Sequence, residues 1–80
     1  MLISEIYGKE IITNAGKRIG NVEDIMLDFE KGGVYSLLLK PIDTLYKGDD
    51  RREGSAELAK NSVAYARVKK VSDTTIIVGL

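Results

Sequence analysis

The stretch that decides the fold is Gly16-Lys17-Arg18-Ile19-Gly20-Asn21-Val22-Glu23-Asp24-Ile25-Met26-Leu27-Asp28. It starts at a turn glycine and continues as a strand of apolar and acidic residues. Strict alternation would put Asp24 on one face with Val22 and Met26, among apolar neighbours. One extra residue at Glu23-Asp24 removes this conflict, so we predict a β-bulge there that leaves three side chains inside: Val22, Ile25 and Leu27. The alternative is a plain edge strand that tolerates the aspartate.

Bent and bulged strands are the elements that close small barrels. We therefore predict an all-β fold, a small barrel of five or six strongly bent antiparallel strands with a short helical turn. Runs of β-branched residues between turn signals place the strands at Lys9–Thr13, Arg18–Phe29, Val34–Lys40, Val63–Tyr65 and Thr74–Gly79. The spacing of Val68 and Val71 favours a tight helical turn, and residues 55–60 favour another, with Ser55 as its cap.

Length and charge limit what the chain can be. Its 80 residues predict a single domain spanning 1–80, with 12 basic and 12 acidic residues in balance. A protein that mainly grips phosphate backbones normally has net positive charge, so nucleic acid is not the expected partner. There is no cysteine and no histidine, which excludes disulfides and makes a structural zinc site implausible. Self-association is then the remaining way to stabilise so small a core.

The chain has few residues that could carry out catalysis. A nucleophile needs a neighbouring base, most often histidine, and Gly16-Lys17 lacks the other residues of a phosphate-binding loop. Asp24, Asp28 and Asp73 could form a carboxylate cluster for acid–base work or for calcium, but their spacing matches no calcium loop, and a bulge, a turn and a strand end suit them better. We predict no enzymatic activity, no cofactor and no metal.

No apolar run approaches the about 20 residues that span a bilayer, and the first residues lack the layout of a signal peptide. We therefore expect a cytoplasmic protein that reaches a membrane only through a partner. The segment 47–54 is charged and bounded by glycines, which predicts an exposed loop.

The third strand is apolar on both faces. Tyr35, Leu37 and Leu39 alternate with Val34, Ser36 and Leu38, although a half-exposed strand should have one polar face. Two explanations remain open: residues 42–60 fold over the outer face, or a second subunit covers it. We lean towards a homodimer and place Tyr35 in the core. The predicted interface consists of Val34, Leu38, Leu45 and Tyr46, although Tyr46 would equally suit a ring packed over the barrel end.

Several glycines, aspartates and apolar residues together resemble the PRC-barrel family, named for a domain shared by the photosynthetic reaction-centre H subunit and a ribosome-maturation factor. The matching positions are Gly8, Gly16, Ile19-Gly20, Val22, Asp24, Asp28, Gly32-Gly33-Val34, Leu37, 63–68, 71–73 and 75–78. The chain departs from the family at Ala64, where members often have proline, and at Ser72, where they often have glycine.

This resemblance implies a non-catalytic docking module for other proteins. The single-domain layout resembles archaeal PRC-barrel proteins linked to cell division, which act with a SepF-type membrane anchor of the FtsZ ring. The implied function is an adaptor recruited to the division site by that anchor. The alternative that the family implies is a docking module in ribosome maturation, associated with RNA or a ribosomal protein.

Overall fold

The computed structural model describes residues 3–41 and 57–79, which form seven short strands and very little helix. Short 3-10 helices lie at Ile3–Glu5 and Tyr65–Arg67, and residues 57–60 form one α-helical turn. The strands are β1 (Glu10–Thr13), β2 (Arg18–Asn21), β3 (Asp24–Leu27), β4 (Val34–Leu38), β5 (Ser62–Ala64), β6 (Val68–Val71) and β7 (Thr75–Val78).

The strands form two sheets, one of four strands in the order β2-β1-β7-β6 and one of three strands in the order β3-β4-β5. The all-β class is therefore confirmed, but the predicted count of five or six strands is too low. The prediction of antiparallel strands alone is also wrong, because β1 pairs with β7 in parallel. Among the described residues no ladder joins the two sheets into a closed barrel.

The bulge predicted at Glu23-Asp24 is instead the point where the chain passes from one sheet to the other. The Val22 amide donates to the Lys9 carbonyl at 2.9 Å, beside β1, whereas the next amide, Glu23, donates to the Leu38 carbonyl of β4 at 2.8 Å. Val22 is buried as expected, and Ile25 packs against the core, but Leu27 is 42% exposed. The prediction of one bulged strand through residues 18–29 is therefore wrong, since consecutive amides bond to different sheets.

True register shifts occur elsewhere in the ladders. The pairs Ile11 with Gly20 and Ile12 with Arg18 leave Ile19 as the extra residue of β2. A second shift leaves Tyr35 unmatched between Val34 and Ser36, opposite β3. Both shifts increase the local bend and twist of the sheets.

The core lies between the two sheets and receives side chains from both. Its fully or almost fully buried members are Ile6, Ile11, Val22, Leu37, Ile76 and Val78. Alternation along β1 and β7 explains three of these six residues, because Ile11, Ile76 and Val78 occupy buried positions whose neighbours along the strand are half-buried.

The helical turn predicted around Val68 and Val71 is wrong. Those residues begin and end β6, which pairs with β7, and the 3-10 helix lies just before it at Tyr65–Arg67. The half-buried valines still pack against the core, as expected. Two residues three apart face the same side of a helical turn but opposite sides of a regular strand. The register shift between Val68 and Lys70 breaks the alternation of β6, so both valines can pack against the core from a strand.

The turn glycine predicted at residue 16 is confirmed. Gly16 has a φ of 86°, a conformation that residues with a Cβ rarely adopt. Its amide donates to the Thr13 carbonyl at 2.9 Å, and the buried Thr13 hydroxyl accepts from the Lys17 amide at 3.1 Å. The β1–β2 turn is thus fixed by hydrogen bonds to both the backbone carbonyl and the side-chain hydroxyl of Thr13.

Candidate protein-interaction surface

Three of the five exposed large apolar side chains of the described residues belong to the β3–β4 hairpin. Phe29 is 94% exposed, Tyr35 61% and Leu27 42%. Leu27 pairs with Val34, the neighbour of Tyr35, and Phe29 lies in the turn between the two strands, so all three residues belong to one hairpin; we name them the hairpin patch. Large apolar side chains grouped in this way on a protein surface mark sites of protein or membrane interaction.

A shallow depression of about 280 Å³ accompanies the hairpin patch. Its walls are formed by consecutive apolar residues of β3 and by the aromatic ring that follows them: Ile25, Met26, Leu27 and Phe29. Because β3 is an edge strand within the described residues, this depression lies at the margin of its sheet. An apolar side chain of a partner therefore has a concave surface to enter.

The turn that presents Phe29 is held by its own hydrogen bonds. One carboxylate oxygen of Asp28 accepts from the Glu30 amide at 3.0 Å and the Lys31 amide at 3.1 Å. The Asp28 amide in turn donates to the Gly33 carbonyl at 3.0 Å. An aromatic ring on an ordered turn loses little conformational entropy on binding, which favours its use as an anchor.

The charges around the hairpin patch are mainly negative. Between residues 23 and 31 the sequence has four acidic residues, Glu23, Asp24, Asp28 and Glu30, and one basic residue, Lys31. A binding surface that is apolar with basic residues at its border would complement this arrangement, and such complementarity speeds encounter and selects partners.

Asp24 connects the hairpin to the first residues of the chain. Its Oδ1 accepts from the Ile25 amide at 2.9 Å and from the Tyr7 hydroxyl at 3.4 Å. The pKa of Tyr7 is raised, because removal from water disfavours the phenolate, the Asp24 charge repels it, and the hydrogen bond to Asp24 favours the neutral phenol. Asp24 thus orders the backbone at the start of β3 through the bond from the Ile25 amide.

The other two candidate aspartates are not brought together with Asp24 into a metal site. Asp28 forms the hairpin turn, and Asp73 lies exposed in the β6–β7 turn. Among residues 3–41 and 57–79, no three Asp, Glu, His or Cys side chains are grouped closely enough to hold a metal ion. The roles in turns and strand ends that the sequence favours agree with these positions.

The residues predicted for a dimer interface have different environments. Leu38 is fully buried within a single chain, and Val34 is half-buried and packs against the core. Leu45 and Tyr46 lie outside the described residues, as do the loop at 47–54 and the cap at Ser55. Leu38 therefore has no free surface to offer a second copy, and both the homodimer and the cover by residues 42–60 stay predictions.

Tyr35, which alternation predicts in the core, is exposed instead. The prediction follows strict alternation with the buried Leu37, and the register shift at Tyr35 breaks that alternation. Phe29 is a residue that the sequence pattern did not single out at all. Its exposure could have been predicted from its neighbours in the sequence. Phe29 lies between the turn residue Asp28 and the polar, glycine-rich segment Glu30-Lys31-Gly32-Gly33, a composition typical of an exposed turn.

No helix among the described residues has both the length and the apolar character needed to cross a bilayer. Comparison with curated proteins gives no match for the chain. The family model of the PRC-barrel domain matches residues 1–55, a range that begins before β1 and extends beyond β4. PRC-barrel domains are in general protein-interaction modules. Because this match covers more than half of the 80 residues, the chain belongs to the PRC-barrel domain family.

Proposed function

We propose that this protein is a non-catalytic adaptor that binds a partner protein through the hairpin patch. The observation that carries the proposal is the 94% exposure of Phe29 on a turn ordered by Asp28. A large ring held in water by an ordered backbone offers much apolar area for burial on association. The surrounding acidic residues would select a partner whose contact surface is apolar and basic.

The partner we propose is a SepF-type anchor of the FtsZ ring in an archaeal cell. Support comes from the resemblance of the chain to PRC-barrel proteins linked to archaeal cell division. The protein would then lie in the cytoplasm and reach the division site through the anchor. Pairing of two copies would strengthen a weak contact to a polymeric partner, because the second contact becomes intramolecular.

The test is direct binding of the purified SepF-type protein of the source organism, measured by isothermal titration calorimetry. Phe29→Ser should weaken binding at least about tenfold, since aromatic anchors at interface centres contribute about 2 kcal/mol or more. Its melting temperature should change little, because Phe29 is 94% exposed and buries little surface on folding. Ile3→Ser is the matched control, as Ile3 is also exposed (42%) but lies before β1.

Two results would contradict this proposal. Equal affinities of the unmutated protein and Phe29→Ser would remove the hairpin patch from the interface. No binding of the SepF-type protein at about 100 μM, a concentration that reveals even weak adaptor contacts, would exclude the proposed partner.

The second candidate is a docking module in ribosome maturation. The favouring observation is the group of exposed cations at Arg67, Lys69 and Lys70, which could approach RNA despite the zero net charge. Capture from lysate of the source cells, followed by mass spectrometry, separates the two candidates, since one predicts division proteins and the other ribosomal proteins. A shift on RNA that added salt abolishes would reflect electrostatics alone.

A further inference from the structure

A second concave surface lies on the other edge of the three-stranded sheet from the hairpin patch. This groove, of about 400 Å³, runs between β5 and β2, which are edge strands of the two different sheets. Its apolar walls include Ile19, Leu39 and Val63, all half-buried and packed against the core. β4 separates it from β3, so a ligand in the groove would leave the hairpin patch free.

The backbone of β5 presents unused hydrogen-bonding groups to this groove. The Leu39 amide donates to the Asn61 carbonyl at 2.7 Å, and two residues further along the ladder Val63 pairs with Leu37, so the alternation directs the Val63 amide towards β4. The amides of Ser62 and Ala64 then point to the outer edge, where no other strand pairs with them within the described residues. An extended peptide can add to such an edge as a further strand.

The border of the groove is positively charged. Of the described residues that line it, two are charged, and both, Lys60 and Arg67, are basic. Lys60 has only a long, exposed contact of 3.9 Å with Glu57, and the Arg67 guanidinium has no hydrogen bond or ion pair within the described residues. A third cation is close, because the Lys69 side chain lies directly against Gly79, which also lines the groove.

We propose that this groove binds an extended acidic segment of a partner protein by strand addition to β5. The segment's backbone pairs with the outer edge at Ser62 and Ala64, one apolar side chain enters between Ile19 and Val63, and flanking carboxylates pair with Arg67 and Lys60. This second surface is independent of the hairpin patch, and together they would let one domain bridge two proteins.

The probe is an acetylated and amidated pentapeptide with a central leucine flanked on each side by two aspartates. Titration into the ¹⁵N-labelled 80-residue protein, up to about 5 mM because so small a ligand binds at about millimolar Kd, should shift amides at residues 60–64, 67 and 79. The same peptide with lysines in place of the aspartates, or with serine in place of the leucine, should bind at least about tenfold more weakly.

Ala64→Pro tests the strand addition itself. Ala64 has φ −61° and ψ 130°, which a proline adopts without strain, and the lost N–H is the outward one, so the ladder to β4 remains. We expect a folded variant, shown by a dispersed amide spectrum, with at least about tenfold weaker peptide binding. Arg67→Gln should weaken binding similarly, and Lys70→Gln, outside the groove, should not.

Unchanged binding by Ala64→Pro would overturn the strand addition. If that variant fails to fold, Arg67→Gln decides, and unchanged binding there would overturn the proposal. Equal binding of the lysine peptide would also overturn it. A different ligand would also overturn the proposal. If the peptide does not bind, but vesicles rich in phosphatidylglycerol or a single-stranded RNA bind in a way that depends on Arg67, the groove cations bind a lipid or a nucleic acid instead.

Discussion

Replacing Ile76 tests the arrangement of the four-stranded sheet at its centre. Ile76 has no exposed surface and pairs with Ile11 of β1 on one side and Val71 of β6 on the other. Its neighbour Ile77 points to the other face of the same strand and is half-buried. Because a slip of one residue exchanges the two faces of a strand, this pair of isoleucines reports on the register.

The expected loss of stability follows from the burial. Alanine removes the side chain beyond Cβ, and at about 0.8 kcal/mol per buried carbon the lost transfer free energy amounts to about 2.4 kcal/mol. The cavity that remains raises this to about 3–4 kcal/mol, within the range measured for buried aliphatic truncations. A domain of 80 residues has a free energy of unfolding of about 4–12 kcal/mol, so Ile76→Ala will leave the protein marginally folded or unfolded.

Ile76→Val is therefore the measurable variant, with Ile77→Val as its matched control. Loss of one buried methylene should lower the free energy of unfolding by about 1 kcal/mol and the melting temperature by about 4–8 °C. The same change at half-buried Ile77 should have clearly less effect. Thermal unfolding followed by circular dichroism measures both. Equal shifts, or a larger shift for Ile77→Val, would refute the assignment of Ile76 to the buried face of β7 and with it the register of this strand.

Three other perturbations have definite expected outcomes. Gly16→Ala should lower the free energy of unfolding, measured in urea, by about 1–2 kcal/mol, because a residue with a Cβ is strained at a φ of 86°. The new methyl group would meet no atom within 4 Å, so the loss would come from the backbone alone, and an unchanged urea midpoint would contradict this backbone conformation. Asp24→Asn should lower the raised pKa of Tyr7 towards its usual value of 10.0, measured by ultraviolet titration of the phenol. Because the pKa of Tyr7 is higher in the folded state, the environment of Tyr7 stabilises the folded protein fully below pH 10.0, and this contribution is lost as the pH rises through the folded-state pKa. The same pKa of Tyr7 in Asp24→Asn would exclude the contact with Asp24. Limited trypsin digestion should cut first after Arg51 or Arg52, as the composition of 47–54 predicts, and early cleavage elsewhere would argue against it.

The sequence was sufficient where a feature depends on neighbouring residues. β-Branched runs located β1, β4 and β7 to within two residues, and the positive φ of Gly16 followed from its place in a turn signal. The turn at Asp28–Gly33 is similarly local, because an aspartate that accepts from amides two and three residues later needs no distant partner. The lack of cysteine and histidine likewise limits the chemistry of the chain whatever fold it adopts.

Features that depend on distant pairing were not predictable from the pattern. Val22 and Glu23 are adjacent in sequence but bond to different sheets, and only the positions of Lys9 and Leu38 in space decide this. The parallel pairing of β1 with β7 joins residues separated by most of the chain. Local alternation contains no information about such partners, so it indicated a bulge where the tertiary structure has a change of sheet.

The candidate sites also depended on the tertiary structure. β4 is apolar on both faces, so its sequence alone could not say which side chains would be covered. Leu38, predicted at an interface, is buried, while Tyr35, predicted in the core, is exposed. The sequence by itself determined an all-β domain with a double-sided apolar strand; the register shift at Tyr35 and the packing of the two sheets decided which residues remain available to a partner, because exposure depends on the neighbours that folding supplies.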